Sequence, residues 1–167
     1  MRTHPFDLLP LKAPAGGMIL TPCPGTKDVD TDSALEQLKA AGASAVITLM
    51  QSAEMTSNAV TDLPALCVKH GLQWFHLPIE DDHAPGLDFE AAWQAQGAAV
   101  HQLLDAGKRI AVHCKGGSGR TGLMAAQILV ERGSSKEEAV AAVKALRPKA
   151  LSLAVHQDYL ARLLVTR

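Results

Sequence analysis

The stretch that decides the fold spans residues 112–122 and reads Val-His-Cys-Lys-Gly-Gly-Ser-Gly-Arg-Thr-Gly. An apolar run of strand length at 109–113 leads directly into a cysteine, and a glycine-rich loop follows it. Residues 119–132 then have a helical pattern, which Gly133 ends. A buried strand, a short loop and a helix in immediate succession are typical of an α/β protein.

This stretch has the composition of an anion-binding loop. Glycine has no Cβ, so the peptide N–H groups of a glycine-rich loop can turn toward one point. Converging N–H groups at the start of a helix bind oxyanions of the size of phosphate. Arg120 adds a guanidinium fork for two phosphate oxygens, and Cys114 is expected at the bottom of the cradle. The predicted phosphate-binding residues are Lys115, Gly116, Gly117, Ser118, Gly119 and Arg120.

Cys114 is the candidate nucleophile of this loop. Cysteines at helix N-termini ionise more readily than free cysteine, and the thiolate is the reactive form. A helix terminus alone supplies about 0.3–2 kcal/mol, so other donors must share the stabilisation of a sulfur anion. Thr121 is placed to be a hydroxyl donor. The alternative, a core cysteine beside a tight turn, leaves the glycines, Arg120 and this hydroxyl without an explanation.

The rest of the chain alternates between short apolar runs and helical patterns. The predicted strands cover residues 18–20, 45–50, 72–77 and 109–113. The first predicted helix begins after the capping residues 30–32 and is ended by Gly42. The other predicted helices cover residues 62–70, 88–106, 119–132, 135–147 and 152–165. This alternation predicts an α/β fold, a mainly parallel sheet of four to five strands flanked by helices. Residues 1–167 are predicted to form a single domain, with an extended N-terminal segment at 1–17.

The composition excludes several classes of protein. Hydrophobic residues make up 47% of the chain and charged residues 20%, which is typical of a globular domain and not of a disordered one. The net charge of −1 lacks the basic excess of nucleic-acid-binding proteins. No run of about 18 apolar residues occurs, so no stable membrane insertion is expected. Three cysteines are too few and too unevenly spaced for a disulfide framework, so a reduced, cytoplasmic protein is expected. They form no C-x-x-C pair, which makes a structural zinc site unexpected.

Two loops carry a family resemblance. Residues 114–120, a cysteine and an arginine separated by five residues, match the C-x5-R phosphate loop of the protein tyrosine phosphatase superfamily. The chain resembles its small dual-specificity branch, and most of all the cyclin-dependent-kinase-associated phosphatase family. That family carries a P-I-x-D…P loop ahead of an H-C-x-G-G-x-G-R segment. Residues 78–85, Pro-Ile-Glu-Asp-Asp-His-Ala-Pro, match the first of these loops.

The resemblance implies a cysteine-dependent phosphatase in which a carboxylic acid protonates the leaving group. The P-I-x-D match selects Asp81 as that acid and leaves Asp82 as the second choice. A solvated acidic turn is the alternative for either carboxylate. For His113 the resemblance implies a supporting role, in which hydrogen bonds orient the loop, ahead of direct proton transfer.

The family pattern raises two further questions. The family often has a glutamine late in the chain that positions water, and the alignment here favours His156 over Gln157. Exposure of both side chains to solvent is the alternative. Cys23 and Cys67 could protect Cys114 by forming a disulfide, but burial is their expected role.

The expected function is hydrolysis of phosphotyrosine and of phosphoserine or phosphothreonine on proteins, through a phosphocysteine intermediate. The chain lacks the K-N-R-Y loop with which larger tyrosine-specific relatives form a deep pocket, so a shallower pocket and dual specificity are expected. The partner is a phosphorylated protein, not a nucleic acid. Phosphate, vanadate and tungstate are the expected ligands of the site, and no metal or organic cofactor is implied.

Two alternative functions stay open. The first is a phosphoinositide phosphatase, because lipid phosphatases of this superfamily often have basic residues inside the loop. Lys115 fits that pattern and Ser118 does not. The second is a non-catalytic phosphopeptide-binding module, which is expected to lack the cysteine, the arginine or the acid. All three are present in this chain.

Overall fold

The computed structural model describes residues 2–12 and 15–165. Within these residues the chain forms five strands and seven helices. The strands are β1 (Asp7–Pro10), β2 (Gly17–Thr21), β3 (Ala43–Thr48), β4 (Gln73–His76) and β5 (Arg109–His113). The helices are α1 (Thr31–Ala40), α2 (Ser52–Ser57), α3 (Leu63–Lys69), α4 (Leu87–Asp105), α5 (Gly119–Glu131), α6 (Lys136–Leu146) and α7 (Ala154–Val165). Residues 1, 13 and 14 of the predicted N-terminal segment lie outside the described residues.

The strands form one sheet in the order β1-β2-β5-β3-β4. Strand β1 pairs with β2 antiparallel, and every other neighbouring pair is parallel. The predicted α/β architecture, a mainly parallel sheet of four to five strands flanked by helices, is confirmed. Parallel strands have their carboxyl ends at the same edge of a sheet, so the loops after β2, β3, β4 and β5 emerge close together.

Strand β5 lies at the centre of the sheet. Its residues from Ile110 to His113 are buried, as expected for a strand that is covered on both faces. His113, the last residue of the strand, is the register partner of Thr21 in β2 and of Thr48 in β3. The loop that follows β5 therefore starts between the ends of two neighbouring strands.

Helices cover both faces of the sheet. Ile110 and Val112 contribute to an apolar cluster with helices α4 to α7, and Ala111 contributes to a second cluster with α1, α2 and α3. This division follows from the alternation of side chains along a strand. Helix α5 is buried from Arg120 to Val130, so the core fixes the position of its first turn. Among the described residues, no helix has the length and apolar character needed to cross a bilayer.

Two elements have no counterpart in the sequence-based predictions. Strand β1 has four residues, lies at the edge of the sheet within the predicted N-terminal segment and ends at Pro10, whose ring removes a backbone donor. Helix α2 has six residues, which is too short for a helical period to be visible in the sequence. The other elements begin and end within about two residues of their predicted bounds.

Candidate active site

The loop predicted to bind phosphate lies at the carboxyl edge of the sheet. Cys114 directly follows β5, and residues 115–118 lead into α5, in which Arg120 is the second residue. Cys114 and Arg120 are 4% and 2% exposed, whereas Lys115 is exposed. The loop thus has a buried floor and an open rim.

Two donors contact the sulfur of Cys114. The Gly117 N–H group donates to Sγ over an N–S distance of 3.2 Å, and the Thr121 hydroxyl donates over an Oγ1–Sγ distance of 3.1 Å. Thr121 is fully buried. The two hydrogen bonds hold the sulfur at the floor of the loop. The structure therefore brings Thr121 to the place where the sequence predicted a hydroxyl donor.

The peptide groups of the loop are oriented from outside it. Three loop carbonyl oxygens accept hydrogen bonds: Cys114 O from His113 Nδ1 at 2.9 Å, Lys115 O from the Cys23 N–H at 2.9 Å, and Gly117 O from Arg147 Nε at 2.7 Å. In a trans peptide the C=O and the N–H of the next residue point in opposite directions. The N–H groups directed away from these donors are those of Lys115, Gly116 and Ser118. Such a set of N–H groups presents the positive ends of peptide dipoles to an oxyanion.

His113 connects the loop to the neighbouring strands. Its Nδ1 carries the ring hydrogen, because the Cys114 carbonyl oxygen can only accept. Its Nε2 therefore accepts from the Thr48 hydroxyl at 2.7 Å, and the Thr48 oxygen accepts from Trp74 Nε1 at 2.8 Å. Burial lowers the pKa of His113 to about 4, so the ring is neutral at neutral pH. With both nitrogens engaged, the ring has the contacts of a supporting residue.

One edge of the Arg120 guanidinium is engaged in hydrogen bonds, and the edge with Nε makes none with the described residues. Nη1 and Nη2 donate to the two carboxylate oxygens of Glu54 at 2.6 and 2.9 Å, and Nη1 also donates to the Ile79 carbonyl at 2.9 Å. A guanidinium has five N–H groups, so Nε–H and one Nη2–H remain. Within the described part of the chain, Nε has no hydrogen-bond partner. These two groups form a fork that suits two oxygens of a phosphate.

Glu54 is a site residue that the sequence analysis missed. It is the third residue of α2, and its Oε1 also accepts from the Gln51 backbone N–H at 3.1 Å. Burial raises the pKa of Glu54, but hydrogen bonds from Arg120 and Gln51 outweigh burial and hold the pKa below its usual range. The signal in the sequence is the Gln-x-x-Glu spacing of a capping box, shortly after a strand that ends at the same sheet edge as Cys114.

Asp81 forms an ion pair with Arg120 at the edge that makes no hydrogen bond among the residues described. Its Oδ1 is 3.5 Å from Arg120 Nε, and its side chain is 68% exposed. The acidic loop is residues 78–85, the segment that matches the P-I-x-D…P pattern. The Ile79 N–H donates to the Leu49 carbonyl at 2.9 Å, which fixes the start of this loop against the end of β3. Asp82 is exposed, and its positive φ of 62° turns the chain at that position. Among the described ion pairs, the one that joins the acidic loop to Arg120 involves Asp81.

His156 and Gln157 have different surroundings. His156 is buried, and its Nε2 donates to the His83 carbonyl in the acidic loop at 2.9 Å. Gln157 is exposed, and its side-chain amide donates to the Leu151 carbonyl at 2.9 Å. The alternative that both face solvent is therefore wrong for His156. The reason is that α7 packs against α5 and turns its His156 face inward, toward the sheet edge.

The other two cysteines are buried and free. Burial raises the pKa of both Cys23 and Cys67 to about 12. Both cysteines belong to the apolar cluster that contains α1, α2 and α3. Cys67 lies in α3, and Cys23 also contacts the phosphate loop through its backbone N–H. Over residues 2–12 and 15–165, no three His, Cys, Asp or Glu side chains are grouped in a way that could hold a metal ion.

The chain matches a family model over residues 23–134, and the description of that family is "Polymorphic toxin system, DSP-PTPase phosphatase". The matched region includes Glu54, Asp81, Cys114 and Arg120. No curated protein sequence matches the chain.

Solved structures of phosphatases have the same fold. A kinase associated phosphatase (KAP) with serine in place of its catalytic cysteine has a TM-score of 0.84 at 22% identity, over 99% of this chain and 97% of that chain. The active form of Tk-PTP has a TM-score of 0.69 at 24% identity, over 87% and 90% of the two chains. PTPMT1 in complex with PI(5)P has a TM-score of 0.63 at 20% identity, over 89% and 93%. Identities this low establish a shared fold alone.

The loop glycines differ in how strictly glycine is required. Gly117 has a φ of +82°, and a Cβ there would lie 2.6 Å from the Pro22 nitrogen and 2.7 Å from the Thr21 carbonyl carbon. Both are backbone atoms at the end of β2, and they cannot move aside. A Cβ on Gly116 would meet nothing within 4 Å. Gly117 is therefore required for the shape of the loop, and Gly116 is not.

We expect Gly117→Ala to weaken the binding of tungstate at least about tenfold, because strain of about 1–3 kcal/mol must be relieved by shifting the loop. Gly116→Ala is the matched control and is expected to stay within about threefold of the wild type. Titration calorimetry with tungstate measures both. Equal affinities in the two variants would contradict this account of the loop.

Proposed function

Because the chain belongs to the DSP-PTPase phosphatase family of polymorphic toxin systems, we propose that it hydrolyses phosphate monoesters of proteins through a phosphocysteine intermediate. Family membership makes it a cysteine-dependent phosphatase, in agreement with its C-x5-R motif. One observation carries the proposal. Cys114 Sγ, at the start of the loop, accepts hydrogen bonds from the Gly117 N–H in the loop and from the Thr121 hydroxyl in α5. In this proposal residues 1–167 form one phosphatase domain that acts in the cytoplasm, where a thiol nucleophile stays reduced.

In substrate binding, the phosphate group meets hydrogen-bond donors that the fold has already oriented. The N–H groups of Lys115, Gly116 and Ser118, with those of Gly119 and Arg120 at the start of α5, donate to the phosphate oxygens. The Gly117 N–H, predicted from the sequence to bind phosphate, contacts Cys114 Sγ instead. Nε–H and the remaining Nη2–H of Arg120 hold two of the phosphate oxygens. The ion pair with Glu54 fixes the plane of the guanidinium. Asp81, 3.5 Å from Nε, is close to the same oxygens. The dianionic group thus meets a site that needs no rearrangement of its backbone donors.

The first chemical step transfers the phosphoryl group to sulfur. The Cys114 thiolate forms an S–P bond as the bond between phosphorus and the ester oxygen breaks. The loop N–H groups and Arg120 stabilise the charge on the three equatorial oxygens. The ester oxygen takes a proton from the Asp81 carboxyl group and leaves as an alcohol or phenol. Acid catalysis of this kind contributes about 10²–10⁴-fold.

The second step releases phosphate. The Asp81 carboxylate takes a proton from a water molecule, whose oxygen bonds to phosphorus as the S–P bond breaks. Inorganic phosphate leaves, and the thiolate and the carboxyl group return to their starting forms. The hydrogen bond from His156 to the His83 carbonyl supports the loop that carries this acid.

The open rim of the site supports a protein substrate with either kind of phosphoester. Lys115 at the rim is exposed, and the Asp81 side chain, which meets the ester oxygen in this proposal, is 68% exposed, so this end of the site lies near the surface. A shallow site admits the short phosphoserine and phosphothreonine side chains as well as phosphotyrosine. The absence of a K-N-R-Y loop from the sequence supports the same conclusion.

Phosphoinositides are the second candidate substrates. The exposed Lys115 favours them, and PTPMT1, whose fold this chain shares, was solved in complex with PI(5)P. Three exposed carboxylates of the acidic loop, Glu80, Asp81 and Asp82, oppose this candidate. They repel a headgroup that carries several phosphates more strongly than a single phosphorylated side chain. The charge around the site therefore favours a protein substrate.

We expect Cys114→Ser to abolish turnover of aryl phosphates, because a serine hydroxyl is not ionised at neutral pH. Asp81→Asn is expected to lower kcat by about 10²–10⁴ with a poor leaving group such as phenol, and far less with para-nitrophenol. Asp82→Asn removes the same charge one position away, and asparagine tolerates positive φ, so its kcat is expected to stay near that of the wild type.

Steady-state kinetics on a series of aryl phosphates measures these effects. A loss that depends on the leaving group in Asp82→Asn but not in Asp81→Asn would assign the acid to Asp82. Turnover that survives in Cys114→Ser would contradict the covalent mechanism.

The substrate class is tested by phosphate release from matched phosphotyrosine and phosphothreonine peptides and from phosphoinositide vesicles. We expect kcat/KM within about a hundredfold for the two peptides, a difference of about 2.7 kcal/mol in transition-state stabilisation, and slower release from vesicles. Strict rejection of phosphothreonine would contradict dual specificity. Faster release from vesicles than from either peptide would favour the lipid substrate instead.

A further inference from the structure

Arg147 is distant from the phosphate loop in sequence but contacts it in the structure. It follows the last residue of α6 and precedes Pro148, which cannot continue the helix. Its side chain is only 13% exposed. A guanidinium that is so withdrawn from water needs acceptors for its N–H groups.

The acceptors of Arg147 come from separate parts of the chain. Nε donates to the Gly117 carbonyl at 2.7 Å, and Nη2 donates to the Leu20 carbonyl at 2.9 Å. Nη1 donates to Asp7 Oδ2 at 2.6 Å and to the Leu146 carbonyl at 3.0 Å. Asp7 and Leu20 are register partners in the pairing of β1 with β2. The side chain therefore ties the loop to one rung of the sheet.

The bond to Gly117 sets the direction of a donor in the loop. The Gly117 carbonyl and the Ser118 N–H belong to one trans peptide, so holding the carbonyl toward Arg147 turns that N–H away from Arg147. The Gly117 N–H, at the preceding peptide, donates to Cys114 Sγ at 3.2 Å. Arg147 thus holds the peptide next to the one that contacts the candidate nucleophile.

We propose that Arg147 is a positioning residue of the phosphate loop: it holds the Ser118 N–H toward the bound oxyanion and does not touch the substrate. This inference rests on the proposed function, because it assigns that N–H group to phosphate binding. The hydrogen bonds from Arg147 to the Gly117 and Leu20 carbonyls hold the peptide in this direction. The Asp7 carboxylate, which is half exposed, contributes an ion pair screened by solvent.

The test compares tungstate affinity, measured by titration calorimetry, with melting temperature in two arginine variants. Arg147→Met keeps the apolar stem and removes every donor. Arg132→Met is the matched control, because Arg132 is 15% exposed and also pairs with an aspartate, Asp105, at 2.7 Å. Arg132 follows α5, whose 13 residues place it about 20 Å from the loop.

We expect both variants to melt at a lower temperature than the wild type. Only Arg147→Met is expected to lose tungstate affinity, by at least about tenfold, with Arg132→Met within about twofold of the wild type. Arg147→Lys has one ammonium group in place of the fork and is expected to show an intermediate loss. Asp7→Asn leaves the hydrogen bonds from Arg147 to the Gly117 and Leu20 carbonyls in place, so this variant is expected to bind tungstate as the wild type does.

Wild-type tungstate affinity in both Arg147→Met and Arg147→Lys would overturn the proposal and leave Arg147 a purely structural residue. If Arg147→Met does not fold, Arg147→Lys decides the matter by the same comparison. An equal loss of affinity in Arg132→Met would also overturn it, since the loss would then follow from general destabilisation. Failure of the wild-type protein to bind tungstate would overturn the proposed function of the loop itself.

Discussion

N–H groups that point toward a common centre repel one another, because each presents the positive end of a peptide dipole. The loop after β5 keeps this arrangement because its carbonyl groups are held from behind, by His113, by the Cys23 N–H and by Arg147. His113 is held in turn through the Thr48 hydroxyl. A site whose donors are fixed in advance stabilises developing charge without reorganising. The roles proposed for Cys114 as nucleophile and for Asp81 as acid depend on such a loop.

The Arg120 guanidinium makes structural hydrogen bonds on one edge and leaves the N–H groups of its other edge for a phosphate. Glu54 and the Ile79 carbonyl occupy one edge of its guanidinium, so the other edge faces the place where a phosphate is expected. The carboxylate both neutralises a buried charge and fixes the plane of the group, and breaking such a pair leaves an uncompensated buried cation. The same Ile79 carbonyl belongs to the acidic loop. Arg120 therefore connects α2, the acidic loop and the first turn of α5.

The sequence predicted the features that depend on consecutive residues: the strands, the phosphate loop and the start of α5. Residues 112–122 contain the strand, the loop and the helix start, and the apolar runs of β2 to β5 are visible as buried strands. Glu54 and Arg147 act on the site from 66 and 30 positions away, and no local pattern connects them to it. Asp81 could be selected only through a family resemblance, because its neighbours in the loop carry the same carboxyl group. In the structure its ion pair with Arg120 distinguishes it.

A crystal structure of the wild-type protein with vanadate tests the central claim most directly. The account predicts vanadium bonded to Cys114 Sγ, with equatorial oxygens that accept from loop N–H groups, among them those of Lys115, Gly116 and Ser118, and from Nε and Nη2 of Arg120. Glu54 is predicted to remain on the opposite edge of the guanidinium, and the Asp81 carboxyl group to lie within hydrogen-bond distance of the apical oxygen. Vanadate bound away from Cys114, or bound there with the loop N–H groups directed elsewhere, would contradict the account.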